Sequence, residues 1–379
     1  MKHYNYIFTG SGLSALMTIY EMILSEKFSD KTILLLDKDA KKTNDRTWSF
    51  WEKASGKFDD ILIQKYESAF FQNEKFIRKL ELVPYLYKTV RGIDFYEKIF
   101  NLIRQHPNIE FVEASVSTFS ESKEGIEVQT NVGNFHAEKL FNSLYNPSLV
   151  ASQTKYPLVQ QHFIGWFIKS KEAVFTPETA TFMDFSIKQK GNTRFMYVLP
   201  TSQTEALIEY TLFSPNLLKK EEYETEIVNY INDLGISEYE IVDTERGNIP
   251  MTCYPFWKHN TQNVLNIGSA GGWTKGSTGY TFKNTTRKAK QVVRFLQNES
   301  DFRKFHRKNK FWFYDLLLID ILFTKNIWGG IIFASMFKTT KPSLIFKFLD
   351  EETSFWEDFK IIWKCPTWPF LQAIFRRIF

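Results

Sequence analysis

The chain has 379 residues, 43% of them hydrophobic and 24% charged, which is enough for more than one domain and excludes disorder or a fibrous repeat. Aromatic residues reach 17% (37 Phe, 17 Tyr, 10 Trp). The net charge of +5 resides in residues 301–379, which hold 13 basic and 8 acidic side chains, and so small an excess without a reader motif argues against a nucleic-acid partner.

Met1-Lys2-His3-Tyr4 leads straight into a predicted strand, Tyr4 to Thr9, with no secretory apolar core. Gly10-Ser11-Gly12-Leu13-Ser14-Ala15 follows, the GxGxxG pattern with Ala in third place. In such a turn the first glycine permits the bend and the second admits a pyrophosphate to the backbone. The small third residue lets helix and strand pack closely. Helical spacing of apolar residues runs from Leu13 to Leu24, and Thr32 to Leu36 is a continuous apolar run suited to a buried parallel strand. Asp37 ends that run, where a carboxylate can accept bonds from ribose hydroxyls. The whole is a βαβ dinucleotide unit.

Asp94 to Arg104 reads as a helix, and Ile109 to Phe119, Ile126 to Thr130 and Lys139 to Leu144 read as strands. From Tyr156 to Leu212 the pattern is mostly β, and Lys219 to Leu234 is a charged amphipathic helix. A short buried strand, Val264 to Ile267, opens into a second glycine-rich loop, Gly268 to Gly279. Two such loops far apart in sequence suit one long ligand held at both ends, and FAD fits this better than NAD. Beyond Thr281 the chain reads as helical, broken near Gly329-Gly330, Pro342 and Pro366.

Three side chains carry candidate chemistry within the β-rich stretch. Alternation places Glu209 on one strand face with Leu207 and Thr211, so that it either points into an apolar cavity with a raised pKa or lies on an exposed face. Asp184 has the same two readings, and His162 reads as a satisfied core histidine. Cys253 and Cys365 stand apart with no metal-ligand spacing, which predicts a disulfide-free, cytoplasmic chain without a bound metal.

The motifs YNYIFTGSGLSAL (Tyr4–Leu16), RTWSFW (Arg46–Trp51), QQHFIGW (Gln160–Trp166), TFMDF (Thr181–Phe185) and RFMYVLP (Arg194–Pro200) occur in that order. ALIEYTLFSP (Ala206–Pro215), GNIPMT (Gly247–Thr252) and GSAGGWTKGSTGYTF (Gly268–Phe282) follow them. In this set the chain resembles the flavoprotein-type bacterial lycopene β-cyclases over about residues 4–290. The resemblance implies an α/β, Rossmann-type FAD-binding fold with an inserted β-rich substrate domain and a helical C-terminal region. The corresponding domains would be residues 1–155 with 245–300, 156–244, and 301–379. It further implies FAD contacts from Gly10, Ser11, Gly12, Leu13, Ser14, Asp37, Val116, Ala270, Gly279 and Tyr280, NAD(P)H as reductant, and Glu209 as the acid that protonates lycopene. The expected reaction is a non-redox closure of linear end groups to β-ionone rings. The alternatives are a flavin monooxygenase or dehydrogenase acting on a hydrophobic substrate, and a non-catalytic flavin-binding membrane protein.

The chain departs from its relatives in places. Plant relatives carry a second acid after the first, where this chain has Tyr210, so a paired carboxylate is not expected. Lys275-Gly276-Ser277 replaces the usual His-Pro of the late loop. Phe348 to Thr353 mimics the plant acidic motif but reads as a solvated turn. Residues 301–379 combine their basic excess with 20 aromatics, which reads either as a solvated face over an aromatic core or as a membrane-facing surface. No spanning helix is expected, since the most apolar stretch, Asn326 to Phe337, has 12 uncharged residues against the roughly 20 needed. The expected docking elements are Arg303, Lys304, Arg307, Lys308 and Lys310, with Phe311, Trp312, Trp328, Phe333 and Phe337 entering the headgroup boundary.

Overall fold

The structure is a computed structural model describing residues 2–378. The predicted βαβ unit forms as read. Strand His3–Thr9 has its inner residues buried, and helix Leu13–Ser25 begins at Gly12, whose backbone is extended. Strand Ile33–Asp37 then pairs parallel with the first. Strand Ile109–Glu113 adds outside it, and Gly133–Asn142 adds on the other side, both parallel. The predicted run from Ile109 to Phe119 divides into Ile109–Glu113 and Val116–Ser122, because the second piece turns away to pair antiparallel with Gly125–Thr130.

Gly133–Asn142 shares its far edge between two neighbours. Its first half takes the hairpin strand Gly125–Thr130, and its last three residues take Val264–Asn266 in parallel. Thr9, Asn142 and Asn266 therefore end three neighbouring strands at one level. Their side chains form a buried polar ladder, with Thr9 Oγ1 donating to Asn142 Oδ1 at 3.0 Å and Asn142 Nδ2 donating to Asn266 Oδ1 at 2.8 Å. Both glycine loops leave the sheet from this carboxyl edge, where α/β sheets bind their ligands.

A second sheet is ordered Tyr239–Met251, Val159–Ser170, Glu205–Ser214, Thr193–Pro200, Thr179–Phe185, Ser68–Asn73 and Phe76–Glu81. Two of its strands thus come from the first 155 residues. Ile208, Tyr210 and Leu212 pack one face against helix Lys220–Asp233. A small third sheet, Thr47–Lys53, Gln64–Tyr66 and Tyr85–Arg91, stands at the junction of the two larger ones.

Helices Lys310–Thr324, Trp328–Thr339, Pro342–Leu349, Phe355–Ile362 and Thr367–Ile378 complete the chain. The breaks expected near Pro342 and Pro366 occur, the one near Gly329-Gly330 falls at 325–327 with both glycines in the first turn of the next helix, and a further break at 350–354 was not expected. The first three share a core with the second sheet. Phe333 and Phe337 are consequently buried, Phe337 stacking on Phe71 at 4.8 Å, and Phe311 is buried against Tyr314 and Phe348 within the tail. These three rings cannot enter a headgroup layer as expected. Three of the five expected docking cations are also engaged, in Arg303–Asp301, Lys304–Glu299 and Lys310–Asp358 pairs. The most exposed aromatics lie instead on and between the last two helices, where Trp356 is 80%, Trp363 76% and Trp368 64% exposed.

The Asp350-Glu351 turn is not solvated either. Lys275, buried in the late glycine loop, donates to Asp315 at 2.9 Å and to Glu351 at 3.4 Å, while Ser277 donates to Asp315 at 2.7 Å. Arg287 binds Glu351 at 3.0 Å. This buried network clamps the helical tail to the loop. It also accounts for the Lys275-Gly276-Ser277 departure, whose side chains turn toward the tail.

Candidate active site

The first glycine turn and the late loop meet across the carboxyl edge. Gly10 has φ +93°, and a Cβ there would lie 2.3 Å from Ser143 Oγ. Gly268 has φ +58°, and a Cβ there would lie 2.5 Å from Ser14 Oγ, so the two loops touch only because that position is bare. The N-terminus of helix Leu13–Ser25 has no side-chain cap and no acid in its first turn. Its free N–H groups and dipole are suited to an anion. Gly12, Leu13, Ser14, Arg46, Ser143 and Gly268 line the polar cleft in front of it. Asp37 braces the turn, its Oδ2 accepting from the Ser11 hydroxyl at 2.8 Å. The Ala114 N–H donates to the Asp37 carbonyl at 2.8 Å, so Val116 begins its strand just beyond the same edge. Ala270 is buried in the short turn Gly268–Gly271.

The polar cleft runs into a cavity whose lining is mostly apolar. Thr47, Trp48, Phe163, Glu245, Ile249 and Thr281 line both spaces. The cavity wall is aromatic: Phe182, Phe195, Phe213, Phe282, Phe333 and Phe337 contribute, together with Tyr87, Tyr197 and Tyr280. Burial pushes the three phenols up, so the wall carries no phenolate. Tyr280 meets Trp51 edge-on at 4.7 Å, and Gly279 borders the same cavity. Two polar atoms here, Gln161 Oε1 and Thr278 Oγ1, are buried with no hydrogen-bond partner among the described residues. An extended ligand with a phosphate middle and a polar-edged ring fits this pair of spaces: phosphates at the helix N-terminus, ring edge at the orphaned atoms.

Glu209 enters the cavity on the face that alternation assigned to it. It is 8% exposed, and the Thr211 hydroxyl donates to its Oε1. A second carboxylate faces it. Gly165 is opposite Glu209 in one strand pairing and opposite Glu245 in the next, so the two acids flank a single glycine across three strands. A Cβ on Gly165 would lie 3.3 Å from Glu245 Cγ and 3.5 Å from Glu209 Cβ. Thr47 donates to Glu245 Oε2 at 2.7 Å. Burial, reinforced by the Glu245 charge, pushes the Glu209 carboxyl up to about 8. Burial likewise pushes Glu245 up to about 7, opposed by the Thr47 bond. At neutral pH the pair retains a proton, which is the state an acid catalyst needs.

The sequence model of the lycopene cyclase protein family matches residues 6–375. The chain belongs to the lycopene cyclase family. Among curated proteins, none matches in sequence. Solved structures share the fold. A geranylgeranyl bacteriochlorophyll reductase-like protein from Thermoplasma acidophilum superposes with a TM-score of 0.62 at 11% identity, over 100% of this chain and 97% of that one. The flavin-dependent brominase Bmp2 gives 0.62 at 13% identity, over 93% of each chain. A variant of halogenase PltM in complex with FAD gives 0.59 at 10% identity, over 91% and 79%. The fold of this family member is thus that of the flavoproteins.

The other two candidates of the lycopene cyclase chain lie off the cavity. Asp184 is fully buried and accepts from Tyr230 at 2.8 Å, from the Ser186 N–H and hydroxyl at 2.8 and 2.6 Å, and from Gln72. Four donors hold it as a structural carboxylate. His162 faces the helix side of its strand, bonded to the Tyr223 hydroxyl at 2.6 Å, and burial pushes it down to about 4. It is a core histidine, but not the satisfied one expected: its buried Nε2 has no hydrogen-bond partner among the described residues. Glu245 was missed: it stands in a strand with exposed neighbours, so no apolar flank marks it. The usable signal was GNIPMT, which begins two residues later.

Proposed function

We propose that this protein is a lycopene β-cyclase that closes the linear end groups of lycopene to β-ionone rings without net oxidation. One observation carries the reading: a buried Glu209, whose burial pushes its carboxyl up toward the neutral form, in an aromatic-walled cavity that opens onto a dinucleotide cleft. An alkene is a very weak base, so its protonation requires a neutral, desolvated acid held against it, and Glu209 meets each condition. The Thr211 bond fixes the carboxyl. The tertiary cation that results is stabilised by aromatic faces, at about 2 kcal/mol per contact when dry. The apolar wall keeps away water that would trap it. Gly10, Ser11, Gly12, Leu13 and Ser14 with Asp37 and Val116 would hold the adenosine and phosphates of FAD, and Ala270, Gly279 and Tyr280 the flavin end. Reduced FAD, maintained by NAD(P)H, would supply negative charge beside the cation.

Lycopene resides in membranes, and no helix among the described residues is long and apolar enough to cross one. We place the docking surface on helices Phe355–Ile362 and Thr367–Ile378. Trp356, Phe359, Trp363, Trp368 and Leu371 are exposed there, with Lys360 and Lys364 beside them. Amphipathic rings backed by cations suit a headgroup boundary. The test of activity is expression in a lycopene-accumulating bacterium with pigment analysis by mass and spectrum. Ring products of unchanged mass support the cyclase. Products heavier by oxygen would indicate a monooxygenase, and unchanged lycopene would remove both enzymatic readings.

A further inference from the structure

We propose that Glu245 is the base of this reaction, taking the proton that the ring cation must lose. The assignment rests on the cyclase reading and on the placement of Glu245 in the wall shared by the polar cleft and the apolar cavity. Glu209 and Glu245 stand two strand spacings apart, roughly 10 Å between backbones. Both long side chains lean over Gly165, the one residue between them, which carries no side chain. A substrate end group entering here has one carboxyl on each flank. The charged groups around Glu245 are Arg46, beside Thr47, together with Asp243 and Arg246 of its own strand. Arg46 favours the carboxylate, and the Thr47 bond holds its Oε2.

The steps balance. Glu209 gives its proton to the terminal alkene and becomes a carboxylate. The neighbouring double bond supplies the electron pair of the new ring bond, leaving a cation on the ring. Glu245 removes a proton from the adjacent ring carbon, and the C–H pair becomes the ring double bond. One proton is given and one is taken, with no redox change. Return of the proton from Glu245 to Glu209 resets the pair. During the reaction both carboxylates are charged, so the cation forms between two anions, at the point where it is least stable elsewhere.

The test uses full-length, FAD-loaded protein kept reduced with NAD(P)H, with lycopene in vesicles made up in D₂O, following both ring formation and deuterium in recovered lycopene. Glu245→Gln keeps the shape and an acceptor for Thr47 but cannot take a proton. Its ring formation should fall about 100-fold or more, as for loss of a general base. Deuterium should still enter the recovered lycopene, because Glu209 still protonates it and the cation reverts. Glu209→Gln should lose both. Glu245→Asp, which keeps a carboxylate, should restore part of the ring formation and serves if the amide variant does not fold. Unchanged ring formation in Glu245→Gln overturns the assignment. So does loss of deuterium exchange together with cyclisation in a variant that retains FAD, since Glu245 would then act on Glu209 and not on the cation. Failure of the wild type to form any ring, with FAD bound, would instead overturn the cyclase reading on which this assignment stands.

Discussion

Glu209→Gln should make the protein more stable and inactive at once. A buried carboxyl that ionises near 8 when folded, against 4.5 in its ordinary state, is protonated in the fold at pH values where the unfolded chain has already released the proton. The unfolded state therefore binds fewer protons, and stability falls as pH rises between those two values. Each pH step in the window costs about 1.4 kcal/mol, so the wild-type carboxyl costs the fold on the order of a few kcal/mol at neutral pH, part of it through the neighbouring Glu245 charge. Below pH 4.5 the penalty vanishes. Glutamine is neutral throughout and still accepts from Thr211, so the two proteins should match near pH 4, diverge up to about pH 8 and hold a constant gap beyond it. Denaturant midpoints of FAD-loaded wild type and variant, measured from pH 4 to 9, report this directly. A gap between them that does not change with pH would refute the reasoning, because the carboxyl would then not be desolvated in the way the cavity implies.

Gly12→Val places a side chain in the polar cleft and should abolish FAD retention, read as flavin absorbance per purified protein. Lys275→Met leaves the buried Asp315 without its cation, while Glu351 keeps Arg287, and should lower stability by about 3 kcal/mol in thermal or urea unfolding. Changing Trp356, Trp363 and Trp368 together to Ala should weaken flotation with anionic vesicles severalfold. Neutralising Arg303, Lys304, Arg307, Lys308 and Lys310 should matter less, since three of these are paired within the fold. Asp184→Asn should reduce stability yet leave deuterium exchange into lycopene, as its carboxylate serves Tyr230, Ser186 and Gln72 and not the cavity.

Local patterns carried far in this chain. The βαβ unit was legible because strand, glycine turn, helix and acid are contiguous, and strand periodicity set Glu209 on one face with Leu207 and Thr211, although this strand is buried on both faces. What the sequence could not supply was the pairing of distant strands. Glu245 joins Glu209 only through Gly165, which lies 44 residues before one and 80 before the other. The small sheet of Thr47–Lys53, Gln64–Tyr66 and Tyr85–Arg91 went largely unread for the same reason. In the tail, helices and their breaks could be read from spacing, but which rings face inward depends on the second sheet. Phe333 and Phe337 are covered by that sheet, and Trp356 and Trp363 are not.

The clamp at Lys275 sets an order of events during synthesis. Its partners lie 40 residues later at Asp315 and 76 later at Glu351. At about 5–20 residues per second, roughly 4–15 s separate the emergence of the lysine from that of its last partner. Through that interval the late glycine loop has nowhere to bury its cation and remains hydrated. The first glycine turn, by contrast, has its strands and helix early. On the proposed reading, a nascent chain would grip the nucleotide end of FAD before it could seat the ring, and the cavity is finished only when the tail has arrived to close it.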